Sequence, residues 1–248
     1  MGAWLLPWAA LILLWYGSRH SGLIKASLVP SPEQVLITFW VQLTEFGLLR
    51  NIAASVMRVV VGLTVAVLLA IPVGFALGWY RPVARFLDPL ISFFRALPPI
   101  ALIPLVIVYF GIGEFAKLIV LFYAGFFASV IVIYEGISQI SPIYVRVAKT
   151  LGATDGEIFR HVIVPLAVPH ILTAMRVALG ICWGTLVASE LIAAQVGLGA
   201  MIQNAGSYFK FDEIYVGIIC IGAFALAMDF TLRAATRRLV SWQDRIIT

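Results

Sequence analysis

Three ionisable residues interrupt the apolar C-terminal part of the chain: Arg176, Glu190 and Asp229. Charges in apolar surroundings are costly, so such residues are usually paired or functional. Arg176 and Asp229 each fall a turn or two from the same predicted end of an apolar segment, which predicts an ion pair between them. Glu190 falls near the opposite end, where it either caps a helix or lines a polar path.

Neither enzymatic chemistry nor nucleotide binding is indicated. The string nearest to a phosphate-binding loop is Gly111-x-Gly113 followed by Lys117, and it lacks the Gly-Lys-Ser/Thr ending. The three histidines share no metal-ligand spacing, and no cluster of His, Asp and Ser predicts a catalytic site. Cys182 and Cys220 lie inside apolar blocks and are expected to be packing residues. We therefore expect no enzyme activity, no metal and no cofactor in this chain.

The composition predicts a membrane protein. Of the 248 residues, 62% are hydrophobic and only 12% are charged, whereas a soluble domain carries about 25% charged residues. A helix crosses a bilayer with about 20 largely apolar residues. Six apolar segments are long enough or nearly so, which predicts an all-α polytopic protein with a single domain over residues 1–248. The segments are Met1–Ser18, Val59–Tyr80, Ala96–Gly113, Leu118–Tyr134, Val177–Ser189 and Ile214–Met228.

The basic residues predict an orientation rather than a nucleic-acid surface, because they are scattered between the apolar blocks. If the N-terminus is cytoplasmic, the segments 81–95, 146–176 and 233–245 are cytoplasmic too. They hold eleven of the 17 Lys and Arg residues, and six remain for the other side. This bias predicts that both termini are cytoplasmic. Met1–Ser18 lacks the positive start of a signal peptide and is expected to be a retained helix.

Two polar segments carry helix-start signals. Ser31, Pro32 and Gln34 predict a capped helix, and the amphipathic stretch that follows, Val35–Leu49, is expected to lie flat at the membrane surface. The second segment, Glu135–His161, is the most charged part of the chain. There Ser141-Pro142 and the capping box Thr154-Asp155-Gly156-Glu157 predict two short helices joined at Gly152 and Ala153.

This second segment resembles the cytoplasmic loop of ABC importer permeases, which reads Glu-Ala-Ala, three residues, Gly, nine residues, Ile-x-Leu-Pro. Ala148, Gly152 and Pro165 match at the same spacing, while Arg146 stands in place of the Glu. The resemblance implies that residues 136–165 couple the permease to an ATPase. The residues expected to carry this coupling are Arg146, Ala148, Gly152, Ala153, Ile158, Phe159 and Pro165. A glycine lets a partner surface approach closely.

A proline-rich helix start comes before this loop. Pro98, Pro99 and Pro104 open the third apolar segment, and prolines free carbonyl groups that must be satisfied inside the protein or in a water-lined cavity. This predicts a bent helix that lines a pore. The string from Arg95 to Leu105 resembles the third helix of the permeases that import taurine, alkanesulfonates, nitrate and bicarbonate.

The C-terminal part carries the closest resemblance. The strings WGTLVASELIAA, GLGAMIQNAG and LRAATRRL resemble the taurine-type permeases. Taken together, the matching strings extend from about Pro30 to Trp242. The chain is therefore identified as similar to permease subunits of taurine, alkanesulfonate and nitrate importers, nearest to the taurine type, with the type I permease fold.

A gate is predicted after the fifth apolar segment. Gly197 and Gly199 permit a sharp re-entry, and the residues after them read as a short amphipathic helix that ends near Gly206. The expected gate residues are Gly197, Gly199, Met201, Gln203 and Asn204. The expected path residues are Pro98, Pro99, Pro104, Trp183, Thr185 and Glu190. Trp183 and Thr185 could donate hydrogen bonds to a sulfonate without trapping it. The alternative is that the hairpin only fills an interface and that Trp183 anchors a helix.

The resemblance implies a set of partners in the bacterial inner membrane. These are two copies of a cytoplasmic ATPase that binds ATP and Mg²⁺, a second permease copy, and a periplasmic or lipid-anchored solute-binding protein; no nucleic acid is expected. The same scaffold could import nitrate, bicarbonate or another small solute. An ion-driven secondary transporter would instead show inverted repeats and ionisable residues at mid-membrane, and neither is apparent.

Overall fold

A computed structural model of the chain describes residues 6–20 and 28–240, and these residues form helices without any strand. The eleven α-helices of the described part are α1 Leu6–His20, α2 Pro32–Thr44, α3 Leu48–Trp79, α4 Arg81–Ala96, α5 Pro99–Phe110, α6 Glu114–Ser138, α7 Pro142–Thr150, α8 Asp155–Ile158, α9 Val164–Ala193, α10 Leu198–Ser207 and α11 Phe211–Leu239. A π-helical turn, Phe159–Ile163, joins α8 to α9 without a break. The all-α prediction is confirmed.

Helices α3, α6 and α9 form the packed centre of the chain. Small residues bring them close together, as is usual where lipid rather than water surrounds a bundle. A Cβ atom on Gly62 of α3 would lie 2.7 Å from the Cβ of Leu121 on α6, and a Cβ on Gly136 of α6 would collide with His170 on α9. These positions therefore fix how the three helices pack.

Within residues 6–20 and 28–240, the candidate membrane spans are longer and fewer than the sequence predicts. In these described ranges, four stretches are long and apolar enough to cross a membrane: Leu48–Trp79, Glu114–Ser138, Asp155–Ile192 and Phe211–Leu239. The two short predicted segments, Val177–Ser189 and Ile214–Met228, thus lie within the longer helices α9 and α11, which also contain the charged residues on either side of them. The predicted first span is only partly described, since residues 1–5 lie outside the described ranges.

The predicted third span, Ala96–Gly113, contains one short helix, α5, and the bend lies before that helix rather than within it. Helices α4 and α5 meet at an angle of 90° across Leu97 and Pro98, and the pair counts as a fifth span only if it is taken as one broken helix. Pro98 and Pro99 have no N–H to continue the hydrogen-bond ladder of α4, and the residue before a proline avoids helical geometry. The sequence predicted a bend here but not a bend of this size.

The capped helix α2 is confirmed. Its capping box is complete, because the Ser31 hydroxyl accepts from the Gln34 N–H at 3.2 Å and the Gln34 side chain accepts from the Ser31 N–H at 2.9 Å. The helix ends earlier than predicted, at Thr44, and Gly47 has a φ of +71° that turns the chain directly into α3. Leu48 and Leu49 consequently belong to α3, not to the amphipathic helix.

Candidate functional site

The predicted coupling loop lies at one end of the central helices, between the C-terminus of α6 and the N-terminus of α9. The Ser141 hydroxyl accepts from the Ile143 N–H at 3.5 Å and starts α7. Gly152 ends this helix with a φ of +83°, and the Ala153 N–H donates to the Ala148 carbonyl at 3.0 Å. This is the closing bond of a Schellman turn, which a glycine favours because residues with a Cβ rarely adopt that backbone. Gly152 therefore fixes the angle between the two arms of the loop.

The second arm of the loop continues into α9. The predicted capping box is confirmed: Thr154 and Glu157 bond reciprocally, at 2.8 Å and 3.4 Å. The helix then passes through the π-helical turn into α9, so it is not a separate short helix as predicted. Pro165 and Pro169 interrupt the ordinary ladder here, and π-helical turns are frequent at functional sites. Motion of the loop would thus be passed directly to α9.

The apolar side chains of this second arm point inward. Ile158 is fully buried, and the ring of Phe159 packs edge-on against Phe75 and Trp79 of α3. The exposed apolar side chains lie instead on the first arm of the loop. They are Ile143, Tyr144, Val147 and Leu151, of which Leu151 is 82% exposed. Arg146 is exposed beside them, and Pro165 is exposed on the second arm. The exposed apolar surface of the loop thus lies on α7, and Phe159 links the second arm to α3.

Of the three predicted path prolines, Pro98 caps the N-terminus of α5, and Pro99 and Pro104 lie within that helix. Pro98 and Pro104 are exposed and Pro99 is half-buried. Pro104 cannot donate to the carbonyl of Ile100, one turn earlier, so that carbonyl lacks its helical partner. One face of α5 therefore presents both apolar side chains and a backbone acceptor.

Trp183 and Thr185 do not face an open path in this conformation. They are only 4% and 3% exposed, and Trp183 packs in the apolar cluster between α3, α9 and α11. The reason is that α9 is surrounded by helices on several sides, so its middle is interior. The buried indole N–H of Trp183 has no hydrogen-bond partner among the described residues.

Glu190 lies at the other end of α9 and is completely enclosed. Its carboxylate accepts hydrogen bonds from the Ser55 hydroxyl at 2.8 Å, from Arg58 Nη1 at 2.5 Å and from the Gly199 N–H at 2.8 Å. Its side chain has no exposed surface, and that of Arg58 is 7% exposed. Glu190 is therefore neither an interfacial cap nor exposed to a path here; it joins α3 and α9 to the predicted gate.

The predicted gate is a hairpin held by α3. Arg58 Nη1 donates to the Val196 carbonyl at 2.7 Å, and the Asn51 side chain accepts from the Gly197 N–H at 3.0 Å. Gly197 has a φ of +143°, and a Cβ there would lie 2.5 Å from the Glu190 carboxyl carbon. Both the backbone shape and the close approach of the carboxylate thus require glycine.

The helix after the hairpin, α10, ends at Ser207, one residue beyond its predicted end near Gly206. A Cβ on Gly199 would lie 2.7 Å from that of Glu190, so this glycine too allows the carboxylate to approach. Met201 is buried, whereas Gln203 and Asn204 are exposed. Beyond this helix, the Glu213 carboxylate bonds to Lys210 at 2.8 Å and raises the pKa of that lysine.

A second carboxylate completes the charged cluster. Glu114, the first residue of α6, accepts from Arg58 Nε at 2.6 Å, from Arg58 Nη2 at 2.7 Å and from Lys117 Nζ at 2.8 Å. The side chain of Lys117 is only 5% exposed, whereas that of Glu114 is 60% exposed. Two buried cations and two carboxylates therefore lie together at the end of the molecule opposite the coupling loop.

The structure brings Arg176 and Asp229 together, with Nε and Oδ1 2.9 Å apart. Asp229 also binds Arg233, one turn later on α11, at 2.6 Å. The sequence indicated the first contact and missed the second, although the i, i+4 spacing of Asp229 and Arg233 could have suggested it.

Sequence reasoning missed most of the polar network around Glu190. Ser55 and Arg58, which bind Glu190, and Asn51, which binds the Gly197 N–H, all precede the uncharged run that begins at Val59, so the sequence pattern assigns them to positions outside the membrane segment. The signal that could have found them is the periodicity of α3, on which Ser55, Arg58 and Gly62 share one face. Among the described residues, no group of His, Cys, Asp and Glu side chains could hold a metal ion.

Comparison with known proteins identifies the scaffold. Residues 62–244 match the family described as binding-protein-dependent transport system inner membrane component. A probable ABC transporter permease of Brucella abortus (strain 2308) is 44% identical over 99% of this chain and 97% of its own length. The taurine transport system permease TauC of Escherichia coli K12 is 37% identical over 96% of this chain and 88% of its own length.

The same fold is found in solved transporters. A structure of the MetNI methionine ABC transporter in an inward-facing conformation matches 77% of this chain and 95% of that one, with a TM-score of 0.68 and 19% identity. A structure of an amino acid ABC transporter has a TM-score of 0.62 over 83% of this chain and 96% of that one, also at 19% identity. In this family the permease forms the membrane channel and a separate subunit carries the ATPase. The chain thus has the type I permease fold and belongs to the inner-membrane permease family of binding-protein-dependent ABC transporters.

Proposed function

We propose that this chain is the permease of an ATP-driven importer that moves a small organic sulfonate into the cytoplasm. Taurine is the first choice of substrate. The observation that carries the substrate class is the similarity to the E. coli taurine permease, which covers 96% of the chain. Two permeases named for aliphatic sulfonates, from Bacillus subtilis and E. coli, support the same class at 29% and 32% identity.

A second candidate solute is bicarbonate. The bicarbonate permease CmpB of Synechococcus elongatus is 32% identical over 81% of this chain and 70% of its own length. Bicarbonate, nitrate and the sulfonates are all small oxyanions, so one scaffold could serve each of them. The lower coverage makes bicarbonate the second choice.

The proposed assembly is a pair of permease copies in the inner membrane, with both termini cytoplasmic. Helix α5 supports the pairing, because it exposes Val108 and Tyr109 by 78% and 72% and leaves the Ile100 carbonyl without its helical partner. Lipid can cover the side chains but cannot satisfy the carbonyl. A second copy related by a two-fold axis would enclose this face around a shared path.

Each copy would bind one ATPase through the coupling loop. The exposed apolar side chains of α7, with Leu151 at the tip, form the surface for this contact. Gly152 sets the angle of the loop, and the Phe159 ring transmits its movement to α3. ATP and Mg²⁺ would be bound by the ATPase, and a solute-binding protein would dock at the opposite end.

The hairpin at residues 194–199 would close the path in the resting state. The Glu190 carboxylate and the Arg58 guanidinium hold it to α3. Opening would separate α10 from α3 and could expose Trp183 and Thr185, whose indole N–H and hydroxyl are suited to a passing sulfonate. Such a site should bind only weakly, because transport requires release.

Transport by the purified complex tests the proposed solute. The permease, its ATPase and its binding protein are reconstituted into vesicles, and uptake of labelled taurine is measured with ATP. We expect uptake that requires ATP and is inhibited by excess methanesulfonate but not by bicarbonate. Uptake of bicarbonate without uptake of taurine would overturn the sulfonate proposal.

Cysteine labelling tests the gate. In a background that lacks Cys182 and Cys220, Ala200→Cys and Thr185→Cys are treated with a membrane-impermeant thiol reagent from outside. Both positions are buried at rest, so labelling should appear only when ATP hydrolysis is blocked in the ATP-bound state. Ser207→Cys, at the exposed end of α10, is the matched control that should react in every state. Equal labelling of Ala200→Cys and Thr185→Cys in both states would remove the gate.

A further inference from the structure

The Glu114 carboxylate occupies a pocket made of two buried cations. The Arg58 fork holds both carboxylate oxygens, through Nε at 2.6 Å and Nη2 at 2.7 Å, and Lys117 Nζ adds a third contact at 2.8 Å. The cation side chains are 7% and 5% exposed, whereas the anion is 60% exposed. The buried Arg58 and Lys117 side chains thus form the pocket, and the solvent-accessible Glu114 carboxylate occupies it.

The donor geometry fits any small oxyanion. A guanidinium presents two parallel N–H groups that match two oxygens of a carboxylate, a sulfonate or a phosphate equally well. Lysine adds a mobile point charge that can follow a third oxygen. Three donors from two helices therefore converge on one position that a sulfonate group could fill.

Charge balance allows another anion to replace the Glu114 carboxylate, but it does not allow the position to stay empty. Of the two carboxylates that neutralise Arg58 and Lys117, Glu190 is fully buried and holds the hairpin backbone. Glu114 is half in solvent at the first turn of α6, directly after Gly111, with its φ of +77°, and Gly113. If Glu114 leaves, two buried cations share one carboxylate, which is unfavourable unless another anion arrives.

We propose that Arg58 and Lys117 form a binding site for the oxyanion group of the solute, and that Glu114 is its internal occupant when no solute is present. That the anion is the transported solute rests on the proposed function; the site itself does not. Glu114 lowers the affinity of the site, because an incoming anion must displace it. A weak site suits a transporter, since tight binding would prevent release.

The position of the site links it to the gate. The same Arg58 side chain that would bind the anion also donates to Glu190 and to the Val196 carbonyl of the hairpin. An anion on Nε and Nη2 would leave the Nη1 contacts in place at first. The solute would therefore be recognised before the hairpin moves.

Anion binding to the purified permease–ATPase complex tests the proposal. The complex is placed in nanodiscs of neutral lipid, which excludes binding by anionic headgroups, and methanesulfonate is titrated by saturation-transfer NMR through its methyl protons. Glu114→Gln removes the competing charge and keeps the shape, so it should lower the Kd for methanesulfonate about tenfold. Adding Lys117→Gln to that variant should reverse the gain.

Glu213→Gln is the matched control. Glu213 also pairs with a lysine three residues away, at the same end of the molecule, but that lysine is exposed. This variant should leave the Kd for methanesulfonate unchanged, which separates a local effect from the effect of net charge. Thermal unfolding of each variant checks that the fold is kept.

Two results would overturn the proposal. The site is not an anion site if Glu114→Gln binds methanesulfonate no more tightly than the unmodified complex, or if Glu213→Gln gains as much. Taurine uptake is measured separately. A complex that transports no sulfonate, yet binds methanesulfonate more tightly after Glu114→Gln, would contradict the proposed solute and support the site.

Discussion

Different interactions stabilise the two ends of this permease. At the gate end, charged and polar side chains are buried: Glu190 has no exposed surface and binds Ser55, Arg58 and the hairpin backbone. At the coupling end, the contacts are aromatic and apolar, with Phe159 packed on α3 and Leu151 exposed. The described residues of the coupling loop contain one ion pair, Lys149 with Asp155 at 3.2 Å, and it is exposed.

The difference would suit the two mechanical tasks proposed for these ends. A buried charged network has few alternative arrangements, because each donor needs its acceptor, so it either holds or separates as a unit. An apolar lever tolerates small sliding movements while it transmits force. The end with the proposed gate would thus suit a closed state with a definite threshold, and the end with the proposed coupling loop would suit continuous contact with a moving partner.

The largest effect is expected at the gate end, from Glu190→Gln. The change leaves Arg58 with only Glu114 as an anion and weakens the hold on the Gly199 N–H. We expect about 3 kcal/mol of lost stability, the lower part of the range for breaking a buried ion pair. Unfolding temperature and labelling of Ala200→Cys measure it, with exposed Glu45→Gln as the control. Equal stability of the two variants would show that the Glu190 network does not hold the hairpin to α3.

Gly152→Trp tests the coupling end. The tryptophan adds bulk where a partner should approach, and it also strains a backbone with a φ of +83°. Gly152→Ala has the same strain, about 1 kcal/mol, without the bulk, and separates the two effects. We expect transport and substrate-stimulated ATPase activity to fall together and at least tenfold further with tryptophan than with alanine. Equal activities in the two variants would exclude docking at Gly152.

The pair Arg176–Asp229 should give a smaller effect, because both side chains are partly exposed, by 35% and 23%. Asp229→Asn removes the anion that Arg176 and Arg233 share, and we expect a cost of about 1–2 kcal/mol. Exchanging Arg176 and Asp229 should recover only part of it, since the new arginine would face Arg233. Adding Arg233→Glu to the exchanged pair should recover more. Unfolding temperatures that do not follow this order would contradict the assignment.

The smallest effect is expected from Thr154→Ala. It removes the hydroxyl that caps the second arm of the coupling loop and should cost about 1 kcal/mol. Faster hydrogen exchange at residues 155–158 would show it. Thr150→Ala, whose hydroxyl only bonds back to the Arg146 carbonyl, is the matched control. The capping role would be wrong if both variants exchanged at the same rate.

Local features of this chain could be predicted from the sequence because their partners are near neighbours. Both capping boxes, Ser31 with Gln34 and Thr154 with Glu157, join residues three positions apart and are present as predicted. The glycine stop at Gly152 likewise depends on one residue and its own backbone. The ion pair of Arg176 and Asp229 joins residues far apart in sequence. It could still be predicted, because each charge stands alone in an apolar segment.

The gate network could not be predicted, because its members are far apart in sequence. Glu190 lies 132 residues from Arg58 and 135 from Ser55. The count of basic residues places Arg58 and Lys117 among the six on the non-cytoplasmic side, since each lies at the edge of an uncharged run. Only the packing of α3 against α6 and α9 shows that both are buried and that two carboxylates neutralise them.

By itself, the sequence determined that this chain is an apolar all-helical membrane protein, where two of its helices start, and which loop resembles the contact with an ATPase. These properties follow from composition and from interactions within one helical turn. The tertiary structure decided the 90° break between α4 and α5, the burial of Trp183 and Thr185, and the enclosure of Glu190 by the hairpin. The reason is that side-chain burial depends on which distant helices pack together, and no short stretch of sequence contains that information.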